Sequence, residues 1–291
     1  MRWSRGDRGN ITDLRGRTGV GMRRGLPLGI GGLVVVLLLS WLTGTDILSL
    51  LGGGGGGSVG VPPSSSVGTT GELETTPEEE ALVDFVDAVM EDAQDTWSQV
   101  LGDKYQPTRV NLFREQIDSA CGFAGSATGP FYCPADRQIY LDLSFFDELN
   151  RRFGAPGDFA QAYVLAHELG HHIQTLLGIE ERVRAAQRAR PSEANALSVR
   201  MELQADCLAG IWGKAASISG RAQQGLVELE PGDAEEGLRA AAAIGDDRIQ
   251  KMTRGRVVPD AFTHGSSEQR MTWFNRGLQT GRLEACDTFE R

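Results

Sequence analysis

Residues 158–177 read DFAQAYVLAHELGHHIQTLL, and this stretch decides the fold. Asp158 is a suitable helix N-cap, and Gly178, which follows the stretch, is typical of a helix end. The sequence therefore predicts one long helix here. The pattern H-E-x-x-H lies in the second half of that helix.

The H-E-x-x-H pattern predicts a metal site. Residues four apart share one face of a helix, so His167 and His171 can direct imidazole nitrogens at a single ion. Glu168 is offset by one position, which lets it reach a metal-bound water rather than the metal. It is therefore the candidate general base. The alternative is that the two histidines lie in a polar helix interface.

A third protein ligand is expected because catalytic zinc sites use three and keep one position open. Glu202 begins an E-x-x-x-D pattern on a second predicted helix, and we expect it to be that ligand. Asp206, one turn further on, can accept the N–H of a ligand imidazole and fix its tautomer. Glu193 is the nearest competitor, but it has no acid four residues later. The alternative is that Glu202 and Asp206 lie on a solvated helix face.

The chain holds four histidines, and two remain after the metal pair. His172 is rotated by about 100° from His171 on the helix, so we do not expect it to bind the metal. We expect it to pack, and the alternative is that it supports a metal ligand through a hydrogen bond. His264 lies in a predicted loop before a helix. It is a candidate catalytic residue that stabilises an oxyanion or orients substrate. The alternative is that its ring only hydrogen-bonds the loop in place.

The body from residue 77 is predicted to be α+β, mainly helical, with a small β-sheet. Apolar residues recur at three- and four-residue steps between Pro77 and Gly102, which predicts an amphipathic core helix. β-type composition over residues 109–113 and 138–143, with Gly-rich turns between them, predicts an antiparallel pair. Further helices are predicted over residues 144–153, 192–217, 233–244 and 266–277.

An apolar stretch near the N-terminus predicts one transmembrane helix. Residues 25–45 carry no charge and span about 30 Å as a helix, roughly one hydrocarbon core. Seven arginines precede it, and positive residues stay on the cytoplasmic side. We therefore expect residues 1–24 in the cytoplasm, a single-pass anchor in the cell membrane and an extracytoplasmic body. The alternative, a cleavable signal peptide, is disfavoured because no A-x-A cleavage site follows.

A flexible linker separates the predicted anchor from the body. Residues 46–76 include six consecutive glycines and a Ser/Pro/Thr/Gly mixture, a composition that cannot bury apolar area. The body, residues 77–291, is expected to be one domain. The whole chain has 29 basic and 39 acidic residues, a net charge of −10. This balance argues against nucleic-acid binding, which needs a basic face.

Several separated motifs make the chain resemble the bacterial neutral zinc metallopeptidase family. They are GPFYCP at residues 129–134, HELGHH at 167–172, ELQADC at 202–207, THG at 263–265 and CDTF at 286–289. The motifs occur in the family's order. The resemblance covers residues 77–291 and the general layout of an Arg-rich start, one anchor and a linker.

The resemblance implies a zincin-like, membrane-anchored hydrolase that acts as a zinc-dependent protease on a peptide or protein substrate. By analogy with gluzincin-type peptidases, the zinc ligands map onto His167, His171 and Glu202, with Glu168 catalytic. In such folds an edge strand above the metal helix pairs with the peptide. By the order of the elements, Ile139–Leu143 is expected to be that strand.

The chain has four cysteines, Cys121, Cys133, Cys207 and Cys286, which allow three pairings. All four lie in the body that is expected to be extracytoplasmic. We favour a disulfide between Cys121 and Cys133, which closes a Gly-rich loop. The second would join Cys207 to Cys286 and tie the C-terminal tail to the ligand helix. Their spacing matches no Cys-type zinc site. The alternative is four reduced thiols, which would fit a cytoplasmic body.

Three functions share this ligand set. The first is peptide hydrolysis by a metal-activated water with Glu168 as general base. The second is a zinc-stabilised extracytoplasmic interaction module without turnover, which has no need of Glu168. The third is a zinc hydrolase acting on a non-peptide amide. We expect the first, and zinc as the cofactor, because two imidazoles and one carboxylate suit that ion.

Overall fold

The computed structural model describes residues 1–16 and 73–290, and these form an α+β fold that is mainly helical, as predicted. Short 3₁₀ turns join several of the helices. The helices are α1 (Pro77–Leu101), α2 (Ser144–Arg151), α3 (Asp158–Leu176), α4 (Ile179–Ala189), α5 (Ala194–Ala216), α6 (Asp233–Ala243), α7 (Asp246–Arg254) and α8 (Ser267–Thr280).

The ends of these helices follow local chemistry. Thr76 caps α1 by accepting the N–H of Glu79, and Ser266 forms a capping box with Gln269 at the start of α8. Gly178 ends α3 in a left-handed conformation, with φ of 67°. The predicted cap of α3 is wrong by one residue, because Gly157 takes the N-cap position. Helices α4 and α7 were not predicted.

The sheet differs from the predicted antiparallel pair. Its strands run in the order β1 (Ile11–Asp13), β2 (Val110–Phe113), β6 (Gln138–Asp142) and β5 (Phe131–Cys133). β2 and β6 pair in parallel, and β5 pairs antiparallel with β6. The chain between β2 and β6 forms a separate hairpin, then returns along the edge as β5. The hairpin is β3 (Gln116–Ser119) with β4 (Gly122–Gly125).

This topology corrects the predicted edge strand. Residues Ile139–Leu143 fall mainly in β6, which lies between β2 and β5 and has no free edge. β5 is the terminal strand of the four, and it contacts α3. A short turn joins β5 to β6. β5 therefore lies at the edge of the sheet beside β6 and next to α3.

Helix α3 is the centre of the core and is buried on nearly all sides. It packs against α5, α6, α1 and the sheet. Glycines allow the closest approaches between helices. A Cβ at Gly277 of α8 would lie 1.9 Å from the carbonyl oxygen of Cys207, so α5 and α8 meet backbone to backbone. The amphipathic face of α1 is also core, as predicted.

The first 16 residues belong to the same folded body. β1 pairs in parallel with β2, and Arg8 forms ion pairs with Glu80 and Asp84 of α1. The predicted layout sets residues 1–24 apart from the body, on the other side of a membrane. In the structure, residues 1–16 instead pack on the body through β1 and Arg8. The side of a membrane on which each segment lies stays a prediction.

The predicted anchor, residues 25–45, lies outside the described residues, as does most of the predicted linker. Within residues 1–16 and 73–290, no helix is both long enough and apolar enough to cross a membrane.

Both predicted disulfides are present. Cys121 pairs with Cys133, which joins the β3–β4 hairpin to the edge strand. Cys207 pairs with Cys286, which joins α5 to the C-terminal tail. The second bridge starts one residue after Asp206, so the tail is fixed beside the predicted metal site.

Candidate functional site

Three side chains from two helices converge at the floor of an open cleft. His167 and His171 lie one turn apart on α3, and Glu202 faces them from α5. The Nε2 atom of His167 is 3.2 Å from Oε2 of Glu202, and Nε2 of His171 is 3.6 Å from Oε1. One ligand atom from each residue lies within 4.8 Å of the others. The predicted ligands are therefore close enough to bind one ion.

The hydrogen bonds of the two imidazoles orient them for metal binding. The Nδ1 atom of His167 is 2.9 Å from Oδ1 of Asp206, and Nδ1 of His171 is 2.8 Å from Oε1 of Gln174. Each Nδ1–H then donates to an oxygen, which turns the two Nε2 atoms towards Glu202. Two such imidazoles and a carboxylate fit zinc, and the cleft leaves a fourth position open.

Asp206 is the centre of a buried network, in the supporting position that the sequence predicts. Arg270 of α8 binds both of its oxygens, with N–O distances of 2.9 Å, and the Tyr163 hydroxyl donates to one of them. Burial would raise the pKa of Asp206, but Arg270 and His167 together lower it. The carboxylate therefore stays ionised and holds the His167 ring.

Arg270 and Tyr163 were not predicted. Arg270 is only 2% exposed, and it lies four residues before the buried Phe274 on the same face of α8. An arginine within the apolar stripe of an amphipathic helix was the available signal, because such a charge needs a buried partner.

Glu168 is buried beside the three donors, at the next position on α3. The backbone of Tyr132, in edge strand β5, lies beside its carboxylate and lowers the pKa of that group. Burial raises the pKa of Glu168 above its ordinary range, against the lowering effect of His167 and His171. A carboxylate with a raised pKa is a better proton acceptor, as general bases are.

The donors themselves have strongly shifted pKa values. Burial would lower the pKa of His167, but Asp206 and Glu202 raise it to about 9. Burial would raise the pKa of Glu202, but His171 and His264 hold it well below its ordinary range. In the metal-free protein, His167 is therefore protonated at neutral pH. A metal ion must displace that proton.

The cleft above the donors has a volume of about 600 Å³, and much of its wall is apolar. Phe131 and Pro130 line it beside the edge strand, and Val164 lines it from α3. Met252 of α7, which is 48% exposed, also lines the cleft. Other apolar wall residues include Phe145, Phe153, Val183, Met201, Ile244 and Ile249.

His264 lines the same cleft, in the loop before α8. Its Nδ1 atom is 3.0 Å from the Thr263 hydroxyl and 3.4 Å from Asp246, whose other carboxylate oxygen accepts the His264 backbone N–H. The side chain is 43% exposed. The loop therefore holds one edge of the ring by hydrogen bonds, which agrees with a structural role. The ring also borders the cleft, which a role in contacting substrate requires.

The two residues expected to lie away from the metal do so. His172 is fully buried, with Nδ1 3.1 Å from the Tyr132 hydroxyl and Nε2 2.6 Å from the carbonyl oxygen of Gln106. Glu193 is exposed in a 3₁₀ turn and pairs with Arg190. His172 is therefore a packing residue, and Glu202 is the acid that meets the histidines.

Comparison with known proteins agrees with this site. The chain matches the family described as "Putative neutral zinc metallopeptidase" over residues 1–289. No solved structure matches the chain.

Two curated relatives illustrate the similarity. The chain is 45% identical to the uncharacterized protein YpfJ of Escherichia coli over 300 aligned residues, which cover 99% of both proteins. It is 47% identical to the uncharacterized protein Rv2575 of Mycobacterium tuberculosis over 197 residues, 66% of each. The similarity to YpfJ therefore includes the N-terminal residues as well as the helical body.

Proposed function

The chain belongs to the neutral zinc metallopeptidase family, and from that premise we propose that it hydrolyses peptide bonds with one bound zinc ion. The observation that carries the proposal is the position of Glu168. Its buried carboxylate adjoins the three donors and faces an open cleft. A purely structural zinc site is closed by four protein ligands and needs no such carboxylate. This favours an enzyme over an interaction module without turnover.

Each side chain of the site has a separate role in the proposed reaction. His167, His171 and Glu202 would hold zinc, which supplies Lewis acidity that polarises the scissile carbonyl and acidifies water. Glu168 accepts a proton from the attacking water at its carboxylate and then delivers it to the nitrogen of the leaving amine. Asp206, held by Arg270, keeps the His167 ring in the required tautomer.

His264 is the second candidate catalytic residue. Burial would lower its pKa, but Glu202 and Asp246 raise it, which favours the protonated ring. Because Thr263 and Asp246 anchor one edge, the other nitrogen remains to donate a hydrogen bond within the cleft. We propose that it donates to the oxyanion that develops on the substrate carbonyl.

The cleft suits an extended peptide with a large apolar side chain next to the scissile bond. Strand β5 borders the cleft and is the terminal strand on that side of its sheet, so its outer edge can pair with a peptide backbone. The aromatic and aliphatic wall around Met252 and Phe145 can bury an apolar side chain. A non-peptide amide has no extended backbone to pair with that edge.

We further propose that the folded body lies in an extracytoplasmic compartment. The support is chemical, because two disulfides persist in oxidising compartments and are rare in the cytosol. A single membrane span over residues 25–45 would place its flanks on opposite faces of the bilayer. Anchoring by that span therefore requires β1 to leave the sheet.

A peptide library tests the proposed activity. The full chain, loaded with zinc, is incubated with proteome-derived peptides, and new termini are identified by mass spectrometry. We expect cleavage next to large apolar residues, lost on chelation and restored by zinc. A Met252→Glu variant should reduce kcat/KM for these sites. Absence of any cleavage by the zinc-loaded chain would contradict the proposal.

A further inference from the structure

The two candidate ligand histidines have different hydrogen-bond partners at Nδ1. Asp206 holds His167, whereas His171 is held by a neutral amide, the side chain of Gln174 one turn later on α3. Gln174 has no solvent exposure. A buried amide with all its partners inside the protein has a fixed orientation, so its own hydrogen bonds decide which atom His171 meets.

The partners of Gln174 settle that orientation. Its Nε2 donates to the carbonyl oxygen of Met201 at 2.7 Å and to Oε1 of Gln204 at 3.1 Å. A backbone carbonyl can only accept, so the amino group must face Met201, and Oε1 must face His171. The Nδ1 atom of His171 then carries the proton, and its Nε2 lone pair is free for the metal.

Gln204 extends this chain of hydrogen bonds to the C-terminal tail. Its Nε2 donates to the carbonyl oxygen of Cys286 at 3.0 Å, which leaves its Oε1 to accept from Gln174. Backbone carbonyls at Met201 and Cys286 therefore fix both amides. The ordered series runs from Cys286 through Gln204 and Gln174 to His171, and we call it the amide relay.

The disulfide Cys207–Cys286 fixes the far end of the relay. Cys286 ends a short 3₁₀ turn, Leu283–Cys286, and its sulfur is bonded to α5. Further along the tail, the Thr288 hydroxyl donates to the carbonyl oxygen of Arg200. Without the bridge, the Cys286 carbonyl is held only through the noncovalent contacts of the tail.

We propose that Gln174 and Gln204 are positioning residues for His171, and that the Cys207–Cys286 disulfide thereby raises the affinity for the metal. Reduction of this bridge by an external dithiol, which becomes a disulfide itself as Cys207 and Cys286 become thiols, would loosen the tail and weaken metal binding. The metal site would then be sensitive to the dithiol–disulfide balance of its compartment. The inference rests on the metal site of the proposed function but does not depend on peptide cleavage.

Zinc affinity, measured by competition with a chromophoric chelator, tests the relay. We expect Gln174→Leu to weaken zinc binding by about 10–100-fold, the usual effect of losing a hydrogen-bond partner of a metal-bound histidine. Gln174→Glu keeps an acceptor for His171 and, as the protonated acid, a donor for the Met201 carbonyl oxygen, so it should bind zinc more tightly than Gln174→Leu. Equal affinities of these two variants would contradict the proposed role.

The disulfide has a matched control in the same chain. We expect Cys207→Ala/Cys286→Ala to weaken zinc binding severalfold, and Cys121→Ala/Cys133→Ala to leave it unchanged. Gln204→Leu should have a smaller effect without the Cys207–Cys286 bridge than with it, because the two act on one relay. Thermal unfolding of the metal-free variants identifies those that fold.

Two failures can be told apart. If the unaltered chain binds no zinc, the proposed function itself is contradicted. If it binds zinc and the Cys207–Cys286 variant, once folded, binds equally tightly, only the relay is contradicted. Equal weakening by both disulfide variants would also contradict it, because the effect would then be general.

Discussion

Gly170 of α3 lies against Ala205 of α5, so closely that a Cβ at position 170 would be 3.0 Å from the Ala205 carbonyl oxygen and 3.1 Å from its Cα. Gly170 is the last variable position within H-E-x-x-H, and Ala205 lies within E-x-x-x-D. The contact therefore sets the distance between the helix that carries both histidines and the helix that carries Glu202.

Gly170→Ala is expected to separate these helices. The added methyl group meets backbone atoms that cannot move aside, so overpacking should destabilise the protein by about 1–3 kcal/mol. This exceeds the gain in helix propensity of about 1 kcal/mol. Urea unfolding of the metal-free protein measures the change, and zinc affinity should fall with it. A more stable variant with unchanged zinc affinity would contradict this role for the contact.

Arg270→Met is expected to remove the bidentate cation of the buried Asp206 carboxylate and to leave His167 as its one charged hydrogen-bond partner. Breaking a buried ion pair in this way typically costs about 3–5 kcal/mol, to be measured by urea unfolding. Arg282→Met is the matched control, because that arginine is exposed and its contact with Glu284 spans 3.9 Å. We expect the control to change stability by less than about 0.5 kcal/mol.

A double variant separates charge from packing. Asp206→Asn removes the buried negative charge, so Arg270→Met should cost less in that background than in the unaltered chain. Equal costs in the two backgrounds would show that Arg270 acts through packing alone.

The stability of the metal-free protein should fall at alkaline pH. The pKa of His167 is raised from 6.5 to about 9 in the folded state, so the proton stabilises the native form. That stabilisation is complete below about pH 6.5 and is lost as the pH rises through about 9. Melting temperatures of the metal-free chain and of a His167→Gln variant measure it, and the variant should lack this component.

The affinity for zinc should change with pH in the opposite direction to the stability of the metal-free protein. Because zinc must displace the proton from His167, its apparent affinity should rise with pH up to about 9. Titrations with a chelator at several pH values provide the measurement. Zinc affinity that is independent of pH between 6 and 9 would contradict the assignment of His167 as a ligand.

The docking of the N-terminal residues can be tested by a crosslink. Arg2 and Glu228 exchange two backbone hydrogen bonds, both of 2.9 Å, as in an antiparallel hydrogen-bonded pair. Such pairs have Cα atoms about 5.5 Å apart, which suits a disulfide. We expect Arg2→Cys/Glu228→Cys to form a bridge in the full chain, as seen by its mobility without reductant.

The single variants Arg2→Cys and Glu228→Cys are the controls for this bridge. If the double variant keeps two free thiols under oxidising conditions, residues 1–16 are not docked on the body there. That result would restore the predicted layout, in which a membrane separates the first 24 residues from the body.

The clustering of the two histidines with Glu202 could be predicted because each motif is short and lies within one helix. His167 and His171 lie four residues apart, as do Glu202 and Asp206, and helical geometry alone brings each pair to one face. The confirmed family resemblance rests on the same short motifs. The close approach of the two helices depends on Gly170. Nothing in the sequence beyond the motif indicates that a small residue is needed there.

The features that were missed depend on distant contacts. The direction of β6 relative to β2 is set by the return of the chain through β5, and composition does not reveal it. Arg270 reaches Asp206 from a helix that lies 64 residues further along the chain. Gln174 and Gln204 are ordinary polar residues in sequence, and only their burial and mutual bonds indicate a role.

The same limit applies to the N-terminus. The arginines before residue 25 were interpreted as a cytoplasmic charge cluster, whereas Arg2 and Arg8 form ion pairs with acids of the body. The charge of a segment does not show which groups it pairs with. An Arg-rich segment can therefore form a cytoplasmic charge cluster or pair with acids of the body. The pairing of β1 with β2 and the bridge between Arg2 and Glu228 favour the arrangement in which the segment packs on the body.

The activity and zinc content of Glu168→Gln test the central claim most directly. Glu193→Gln, an exposed acid remote from the cleft, is the matched control. We predict that Glu168→Gln binds one zinc ion per chain as the unaltered protein does, while peptide cleavage falls by about 10²–10⁴-fold, the usual contribution of a general base. A zinc-loaded Glu168→Gln variant that cleaves peptides as fast as Glu193→Gln would contradict the account.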